Sequence, residues 1–423
     1  MKSLNRWVYA IMGVLVLLFA GLIYAWTTFS GPLKGVWDEG ALTWTSTVVM
    51  VFFCLGGFFG GQFQKKGINV KINLALGAIL MFAGFTIAGF LGNATGSIVV
   101  IYLGFGLLAG LGAGFTYNAV LSAVSGWFPD KQGLISGILL MGFGIGSFLM
   151  GTLYASIVDQ GAGGTPWYTC FFYIAIACLV IIAIGAVIIK KPAPDYKVPG
   201  ADSAKKKSSA PYEDVETSSM LKRSSFWFMF VWAILVSVAG LAVVFLGRPI
   251  ATVAVPALDT ADGASTVAII VGLISIFNGI GRIIFGALFD KIGYKPTLLI
   301  VSAMFIISMG VIVLSMLTGS QFILIIAYIL TGLSYGGVTP SQSAFVNKFY
   351  GAKYYAVNFP LMTMNLLIAS FGTKLVQAVQ SGLTGAGMAA TTAYIIVLAG
   401  VAVICVIAGI FAIMIKKPAC AND

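Results

Sequence analysis

The residue types most able to do chemistry in this 423-residue chain are gathered between Ser275 and Lys295. The stretch reads SIFNGIGRIIFGALFDKIGYK, which is apolar enough to lie in a lipid bilayer, yet it contains Arg282. At about 1.5 Å per helical residue, Arg282 lies about 12 Å from Asp290, which marks the polar edge. A guanidinium near the centre of a bilayer costs at least about 2.5–3.5 kcal/mol and keeps its charge. We therefore expect Arg282 to face a cavity or a partner.

Two further polar residues follow the same face of this predicted helix. Asn278 precedes Arg282 by one helical turn, and Ser275 lies a further turn back. Residues three and four apart are neighbours on a helix surface, so the three side chains form a polar stripe that ends in a cation. The pattern predicts that Arg282 binds an anion in a membrane carrier.

The composition of the chain is that of a membrane protein. Hydrophobic residues make up 59% and charged residues 9%, and the mean hydropathy is +1.02. A soluble domain has about a quarter of its residues charged. Length and apolarity of the segments predict twelve transmembrane helices, at roughly 7–29, 42–64, 70–92, 97–125, 133–155, 167–189, 225–247, 266–289, 296–317, 321–346, 355–380 and 392–415.

The net charge of +11 is a topology signal and predicts no nucleic-acid partner. If both termini are cytoplasmic, every one of the 24 Lys and Arg residues lies on the cytoplasmic side except Lys34, Arg248, Arg282 and Lys374. Such an excess of basic residues on one side is typical of cytoplasmic loops. We expect an integral protein of a prokaryotic inner membrane, monomeric and embedded in lipid.

The chain divides into two halves that repeat. A polar segment separates residues 1–190 from 224–423, and the composition of this 191–223 segment is that of a cytoplasmic linker. GGQFQKKG at 60–67 returns as GALFDKIG at 286–293. We predict an all-α membrane protein with two pseudo-symmetric six-helix halves, the layout of a major facilitator transporter, with substrate bound at mid-membrane between them.

The second copy of this repeat contains the pattern GxxxDxxG, formed by Gly286, Asp290 and Gly293. The first copy has Gln64 where the aspartate would stand. A role in gating and a role in helix capping remain equally open for this pattern.

Several motifs together resemble one family. They are NRW at the start of helix 1, YAWTTFSGPL at its end, GWFPDKQGLISG, SSFWFMF, GRIIFGALFDKIG and SYGG. The chain resembles the oxalate/formate antiporter family of the major facilitator superfamily, whose members carry small carboxylates. The resemblance implies that Arg282 binds the carboxylate, that Asn278 lies beside it, and that Tyr24, Tyr117 and Tyr335 line the site.

The depth of the aromatic residues supports part of this expectation. Tyr117 and Tyr335 lie deep in their spans, next to Asn118 and close to Thr339, and a buried hydroxyl needs a partner. A polar cavity is therefore favoured over lipid for these two tyrosines. Tyr24 could serve either the site or the membrane interface.

Helix 11 departs from the pattern of the oxalate-exchanging branch of that family. That branch has a lysine about midway along the helix, where this chain has Asn365 or Leu366. The lysine of this helix is Lys374, near the outer surface, where snorkelling to lipid headgroups is the favoured role. The alternative is that Lys374 binds the substrate as a second cation. The difference argues against a dianion such as oxalate as substrate.

Titratable groups and catalytic motifs are scarce in the predicted spans. The chain has no histidine, and none of its 13 Asp and Glu residues falls in a predicted span, although Asp130 and Asp290 could act at the cytoplasmic mouth. A proton could then travel with the substrate, or a counter-anion could be exchanged. The five cysteines are scattered, so we expect no metal, no cofactor and no enzyme activity.

Three functions agree with these observations. A secondary transporter of monocarboxylates such as lactate, pyruvate or formate is favoured, and oxalate/formate exchange is the alternative. An anion channel is the third, least favoured reading. Phe143 could line the same cavity as the tyrosines, but an apolar residue in an apolar span belongs to the core by default.

Overall fold

The chain folds into helices whose bounds follow its hydropathy. The computed structural model describes residues 5–34, 36–158, 163–193, 196, 212–260 and 263–418, so most of the predicted linker and Cys420 lie outside the described residues. Within these ranges there is no extended strand, and the predicted fold class is confirmed by twelve helices long and apolar enough to cross a membrane. They are α1 (Arg6–Ala25), α2 (Gly40–Lys65), α3 (Val70–Thr95), α4 (Ile98–Trp127), α5 (Gln132–Ile157), α6 (Trp167–Ile188), α7 (Ser224–Ala254), α8 (Thr266–Ile292), α9 (Tyr294–Thr318), α10 (Gln321–Tyr350), α11 (Tyr355–Gly385) and α12 (Ala390–Met414).

Helix starts are set by short polar side chains that satisfy backbone N–H groups. The side chain of Asn5 accepts a hydrogen bond from Trp7 N at 3.1 Å before α1, and Asp38 accepts one from Ala41 N at 3.1 Å before α2. Such caps replace partners that the first turn of a helix lacks.

The largest difference from the predicted helix bounds lies at the end of helix 7. The sequence places the end of helix 7 at residue 247 and Arg248 beyond it, but α7 continues to Ala254 with Pro249 inside the helix. A proline removes a single backbone hydrogen bond, and the rest of a long transmembrane helix absorbs that loss. Arg248 is therefore an exposed residue near the end of α7.

Contacts divide the chain into two units. The first comprises Met1–Thr217 and Val346–Thr363, and the second comprises Ser218–Phe345 and Met364–Asp423. In the first unit the most extensive pairs are α3 with α4, α2 with α4 and α3 with α6. In the second unit α12 packs on α9 and α7, and α7 packs on α11. The predicted boundaries at 190 and 224 remain a prediction.

The internal repeat is visible in local geometry. Gly67 and Gly293 stand at equivalent places in the repeated loops, and both adopt a positive φ, of 83° and 84°. Only glycine takes this conformation without strain. Gly114 of α4 and Gly336 of α10 are also equivalent, and each lets its helix touch the backbone of a neighbour. The glycine of GxxxDxxG that follows Asp290 thus has a structural reason to be glycine.

The motif WFPD joins the start of α1 to the turn between α4 and α5. Arg6 pairs with both carboxylate oxygens of Asp130, at 2.6 and 3.2 Å, and its guanidinium lies 4.8 Å from the centre of the Phe128 ring. Trp127 donates from Nε1 to the backbone oxygen of Lys190, at 2.8 Å. These contacts give Asp130 an architectural role within the first unit.

Candidate functional site

Arg282 and Asn278 form the polar centre of α8. Arg282 Nε donates to Asn278 Oδ1 at 2.9 Å, and both side chains are half-buried. Ser275 lies one turn further along the same face and is exposed. The stripe expected from the spacing is therefore present, and Asn278 fixes the direction in which the guanidinium points.

A glycine-lined crossing between α8 and α10 holds this pair in place. A Cβ at Gly336 would overlap the backbone oxygen of Asn278, and it would lie 2.9 Å from Arg282 N. Gly332, one turn earlier, would similarly meet Asn278 N at 3.1 Å. Because small residues allow the two backbones to touch, α10 packs directly against the turn that carries Asn278 and Arg282.

Tyr335 stands next to this crossing on α10. Its ring lies against Gly240 of α7, where a Cβ would overlap the ring carbon Cδ2. The ring also packs on a buried apolar cluster of Val238, Leu241 and Ala369. Tyr335 remains half-buried, as does Thr339 one turn further on. The second unit thus brings Tyr335 and Thr339 to the helix that packs on Arg282 and Asn278.

Asn365 occupies the point where α11 is interrupted. One α-helical segment ends at Thr363 and the next begins at Asn365. The fully buried amide donates from Nδ2 to Ser237 Oγ at 3.0 Å and to the backbone oxygen of Ala233 at 3.2 Å. Among the described residues no hydrogen-bond partner is found for Asn365 Oδ1. Its donor group therefore binds α7, and Oδ1 is the atom with unused capacity.

The first unit contains a separate aromatic cluster. The ring of Phe143 lies 5.4 Å from that of Tyr24, 5.0 Å from Tyr117 and 5.5 Å from Phe53. Tyr117 also stacks on Phe359 at 6.1 Å. Ring pairs at such distances attract each other beyond simple burial. Phe143, which the sequence ranks low, lies at the centre of the cluster.

Asn118, beside Tyr117, connects three helices. Its Nδ2 donates to the backbone oxygens of Gly57 at 3.1 Å and Ala356 at 2.9 Å, and the side chain is fully buried. The Ala356 oxygen needs a donor because Pro360, four residues later, has no N–H. The geometry gives the donor group of Asn118 a helix-linking role, and its expected contact with a substrate stays a prediction.

Two further predicted residues lie on exposed surfaces. Lys374 is exposed on α11, and the apolar side chains Phe371 and Leu375 beside it are exposed by 53% and 66%. This setting agrees with a lysine that snorkels from a lipid-facing surface. Asp290 is exposed in the last turn of α8, which extends a little beyond its predicted end.

Sequence reasoning missed the residues that position the predicted ones. Gly240 leaves room for the Tyr335 ring, Ser237 accepts from Asn365, and Phe53 and Phe359 pack on Tyr117. A serine or glycine in an apolar span is a weak signal for such a role. The signal is weak because each residue acts through a neighbour on another helix.

The fold and the buried polar residues define an integral membrane transporter. The family model of the Major Facilitator Superfamily matches residues 9–373, so the chain belongs to that superfamily. The oxalate:formate antiporter of Oxalobacter formigenes is 28% identical over 83% of this chain and 80% of its own, which confirms the resemblance found in the motifs. Apicoplast pyruvate carrier 1 of Toxoplasma gondii is 26% identical over 59% of this chain and 53% of its own.

Solved structures share the fold at low identity. The proton:xylose symporter XylE has a TM-score of 0.77 at 13% identity, covering 97% of this chain and 96% of its own. A bacterial homologue of the iron transporter ferroportin has a TM-score of 0.68 at 15% identity, covering 97% and 99%. At these identities the likeness concerns the fold alone.

We predict that Gly240→Ala destabilises the protein through Tyr335. The new methyl group overlaps the tyrosine ring, so the free energy of unfolding should fall by about 1–3 kcal/mol. In a Tyr335→Ala background the same change should cost much less, because the obstructing ring is gone. Unfolding in detergent, followed by temperature or denaturant, measures both values.

Gly310→Ala is the control for this cycle, since no atom lies within 4 Å of a Cβ at that position of α9. Equal costs of Gly240→Ala with and without the Tyr335 ring would show that the two residues are not coupled.

Proposed function

We propose that this transporter carries small monocarboxylates of the lactate, pyruvate and formate type by alternating access, with the carboxylate held by Arg282. The observation that carries the proposal is the half-buried guanidinium oriented by Asn278 deep in α8. A planar guanidinium can bind both oxygens of a carboxylate, which an ammonium group cannot do in the same way. Asn278, Tyr335 and Thr339 are the proposed neighbours of the substrate in the second unit.

The charge of the site favours a single carboxylate. A second carboxylate buried near Arg282 would need a further cation, and a buried unpaired anion is unstable. Asn365, at the interruption of α11, is neutral, and Lys374 is exposed further along that helix. The relatives support the substrate class, since their names include an oxalate:formate antiporter, a pyruvate carrier and monocarboxylate transporters.

Oxalate/formate exchange is the alternative function, and the similarity to the antiporter of Oxalobacter formigenes favours it. It would require a second cation for oxalate, for which Lys374 is the candidate. An anion channel could also use Arg282 to bind anions. Because the chain belongs to a superfamily of transporters, a channel is the least favoured function.

We further propose that transport is electroneutral, as symport of a proton with the substrate or as exchange of two monocarboxylates. Within the twelve described transmembrane helices, Asp290 in the last turn of α8 is the only acidic residue. The chain has no histidine. A guanidinium keeps its proton in proteins, so Arg282 cannot serve as the proton carrier. The proton of a symport cycle would then enter and leave together with the carboxylate.

The proposed setting is the inner membrane of a prokaryote with both termini in the cytoplasm. The distribution of Lys and Arg supports this orientation.

We predict that Arg282→Gln abolishes carboxylate binding without harming folding. Loss of charge-assisted hydrogen bonds should raise the Kd by at least about 100-fold, while removal of a costly charge should leave the unfolding temperature unchanged or higher. Arg282→Lys should remain strongly impaired. Uptake of labelled lactate, pyruvate and formate into proteoliposomes is the measurement.

The matched control is Arg248→Gln, which removes an exposed arginine near the end of α7 and should keep the parent rate within about twofold. Transport by Arg282→Gln at near the parent rate would refute the role of Arg282.

We predict that the initial uptake rate is independent of membrane potential. Both electroneutral modes move no net charge, so a potassium-diffusion potential of either sign should leave the rate unchanged. The measurement uses proteoliposomes with valinomycin and opposed potassium gradients. A rate that follows the potential would mean that an unbalanced charge moves, and neutral variants of Lys374, Asp290 and Asp130 would then locate it.

A further inference from the structure

The motif KKPA occurs twice in the chain, at 190–193 and 416–419, with an offset of 226 residues. Each copy follows the last transmembrane helix of one half, α6 or α12. Both helices end immediately before an isoleucine, Ile189 or Ile415, which has an extended backbone and is fully buried. The chain therefore leaves the two helices in the same way, and in both places the next two residues are lysines.

An aromatic side chain binds the backbone at each of these helix ends. Trp127, at the end of α4, donates from Nε1 to the backbone oxygen of Lys190 at 2.8 Å. Tyr294, at the start of α9, donates from its hydroxyl to the backbone oxygen of Ile415 at 3.3 Å. Each aromatic residue belongs to the same unit as the lysines beside it. These hydrogen bonds fix the backbone from which the two lysine pairs project.

A third lysine stands at the start of the helix that packs beside each pair. Lys71, in the first turn of α3, donates from Nζ to the backbone oxygen of Val187 at 3.0 Å, which brings its ammonium group to the end of α6. Lys295 directly follows Tyr294, whose hydroxyl reaches the end of α12. We call each set of three a lysine trio. The trios are Lys71, Lys190 and Lys191 in the first unit and Lys295, Lys416 and Lys417 in the second.

The first trio keeps positive charge and hydrogen-bond donors for a ligand. Within the described residues no carboxylate pairs with a lysine of this trio, whereas Arg6 of the same unit pairs with Asp130 at 2.6 Å. An ammonium group has three N–H donors, of which Lys71 uses one on the Val187 oxygen. The trio is therefore electrostatically suited to an anion.

The helix faces that lead to the trios are apolar and exposed. Val187, whose oxygen binds Lys71, is exposed by 74%, and Ile413, near the second trio, is exposed by 56%. Because these helices are long and apolar enough to cross a bilayer, their exposed aliphatic side chains contact lipid acyl chains. A ligand that matches both surfaces has a negative headgroup and acyl chains. Further exposed side chains on the same helices are Ile72 and Ile184 in the first unit and Ile300 and Ile410 in the second.

We propose that each unit binds the phosphate of an anionic phospholipid with its lysine trio, while the acyl chains lie along the exposed faces of α3 and α6 or of α9 and α12. Lysine ammonium groups bind phosphate through charge-assisted hydrogen bonds. Basic pockets between transmembrane helices bind anionic headgroups in this way. A soluble phosphate would contact the lysines but leave the aliphatic faces unused, so the ligand is a lipid.

The repeat makes this proposal more specific than a general excess of basic residues. Basic residues spread over one side of a membrane protein attract anionic lipids without a fixed number or place. Two trios on positioned helix ends predict two bound phospholipid molecules per chain, each lost with its own trio. The prediction involves no carboxylate substrate, so its outcome is separate from that of the proposed transport function.

Native mass spectrometry of the purified full-length protein in detergent counts the bound lipids. Phosphatidylglycerol is compared with phosphatidylcholine that has the same acyl chains, so that only the headgroup differs. Two phosphatidylglycerol molecules should bind at least about tenfold more tightly than phosphatidylcholine, because each lysine near a membrane surface adds about a fivefold preference for anionic lipid.

Glutamine variants assign each lipid to a trio. Glutamine at all three positions of the first trio should leave one tight site, and glutamine throughout the second trio should leave the other. The combined variant should lose both sites. Because the lysines lie at the surface, the unfolding temperature should change little. If the first variant does not fold, Lys190→Gln with Lys191→Gln keeps the bond between Lys71 and Val187 and should still weaken one site at least about fivefold.

The matched control combines Lys131→Gln, Lys222→Gln and Lys353→Gln, which remove the same charge from exposed lysines that belong to neither trio. This variant should keep two tight phosphatidylglycerol sites, each within about twofold of the parent. Loss of one lipid with each trio, and of none in the control, supports the proposal. Equal binding of the two phospholipids, two tight sites in a trio variant, or an equal loss in the control would overturn it.

Discussion

The free energy of placing one guanidinium inside a bundle of apolar helices is the constraint on which this structure depends. The guanidinium of Arg282 stays charged, so the surrounding helices must orient this side chain and place polar groups next to it. Asn278 does so on the same helix, at 2.9 Å. The glycines of α10 bring a second backbone against that turn. One hydrogen bond and one close helix crossing thus support this charge.

The two halves repeat in backbone geometry but differ in chemistry. A Cβ at Gly114 would lie 2.7 Å from Gly57 N, and a Cβ at its equivalent Gly336 would lie 2.9 Å from Arg282 N, so Gly57 stands where the second half has Arg282. A Cβ at Gly57 would lie 3.7 Å from the Pro360 side chain. The first unit instead gathers aromatic rings around Phe143. The repeat has kept its helix crossings while only one copy carries the cation.

Helix number, order and approximate ends could be predicted from the sequence, because hydropathy and length decide what can cross a bilayer. The stripe of Ser275, Asn278 and Arg282 followed from helical spacing alone. The end of α7 could not be predicted, because a proline only weakens a long helix. The structural roles of Asn118 and Asn365 could not be predicted either, because their Nδ2 groups donate to carbonyl and hydroxyl oxygens on other helices.

The linker shows the limit of composition as a guide. Polar, charged residues predict a solvated segment, yet its last residues cap α10 and occupy both ends of the Asn358 amide. Hydrogen bonds of this kind depend on which carbonyl groups a distant turn leaves without donors. No local pattern in the sequence YEDVET encodes that information.

The number of carboxylates that Arg282 balances is the most direct test of the account. Competition for uptake of a labelled monocarboxylate in proteoliposomes should be measured with unlabelled lactate, pyruvate and formate against oxalate and malonate. We predict that the monocarboxylates compete at concentrations at least tenfold lower, a difference of about 1.4 kcal/mol in binding free energy. Tight competition by oxalate that disappears in Lys374→Gln would contradict the account and make Lys374 a second ligand of the substrate.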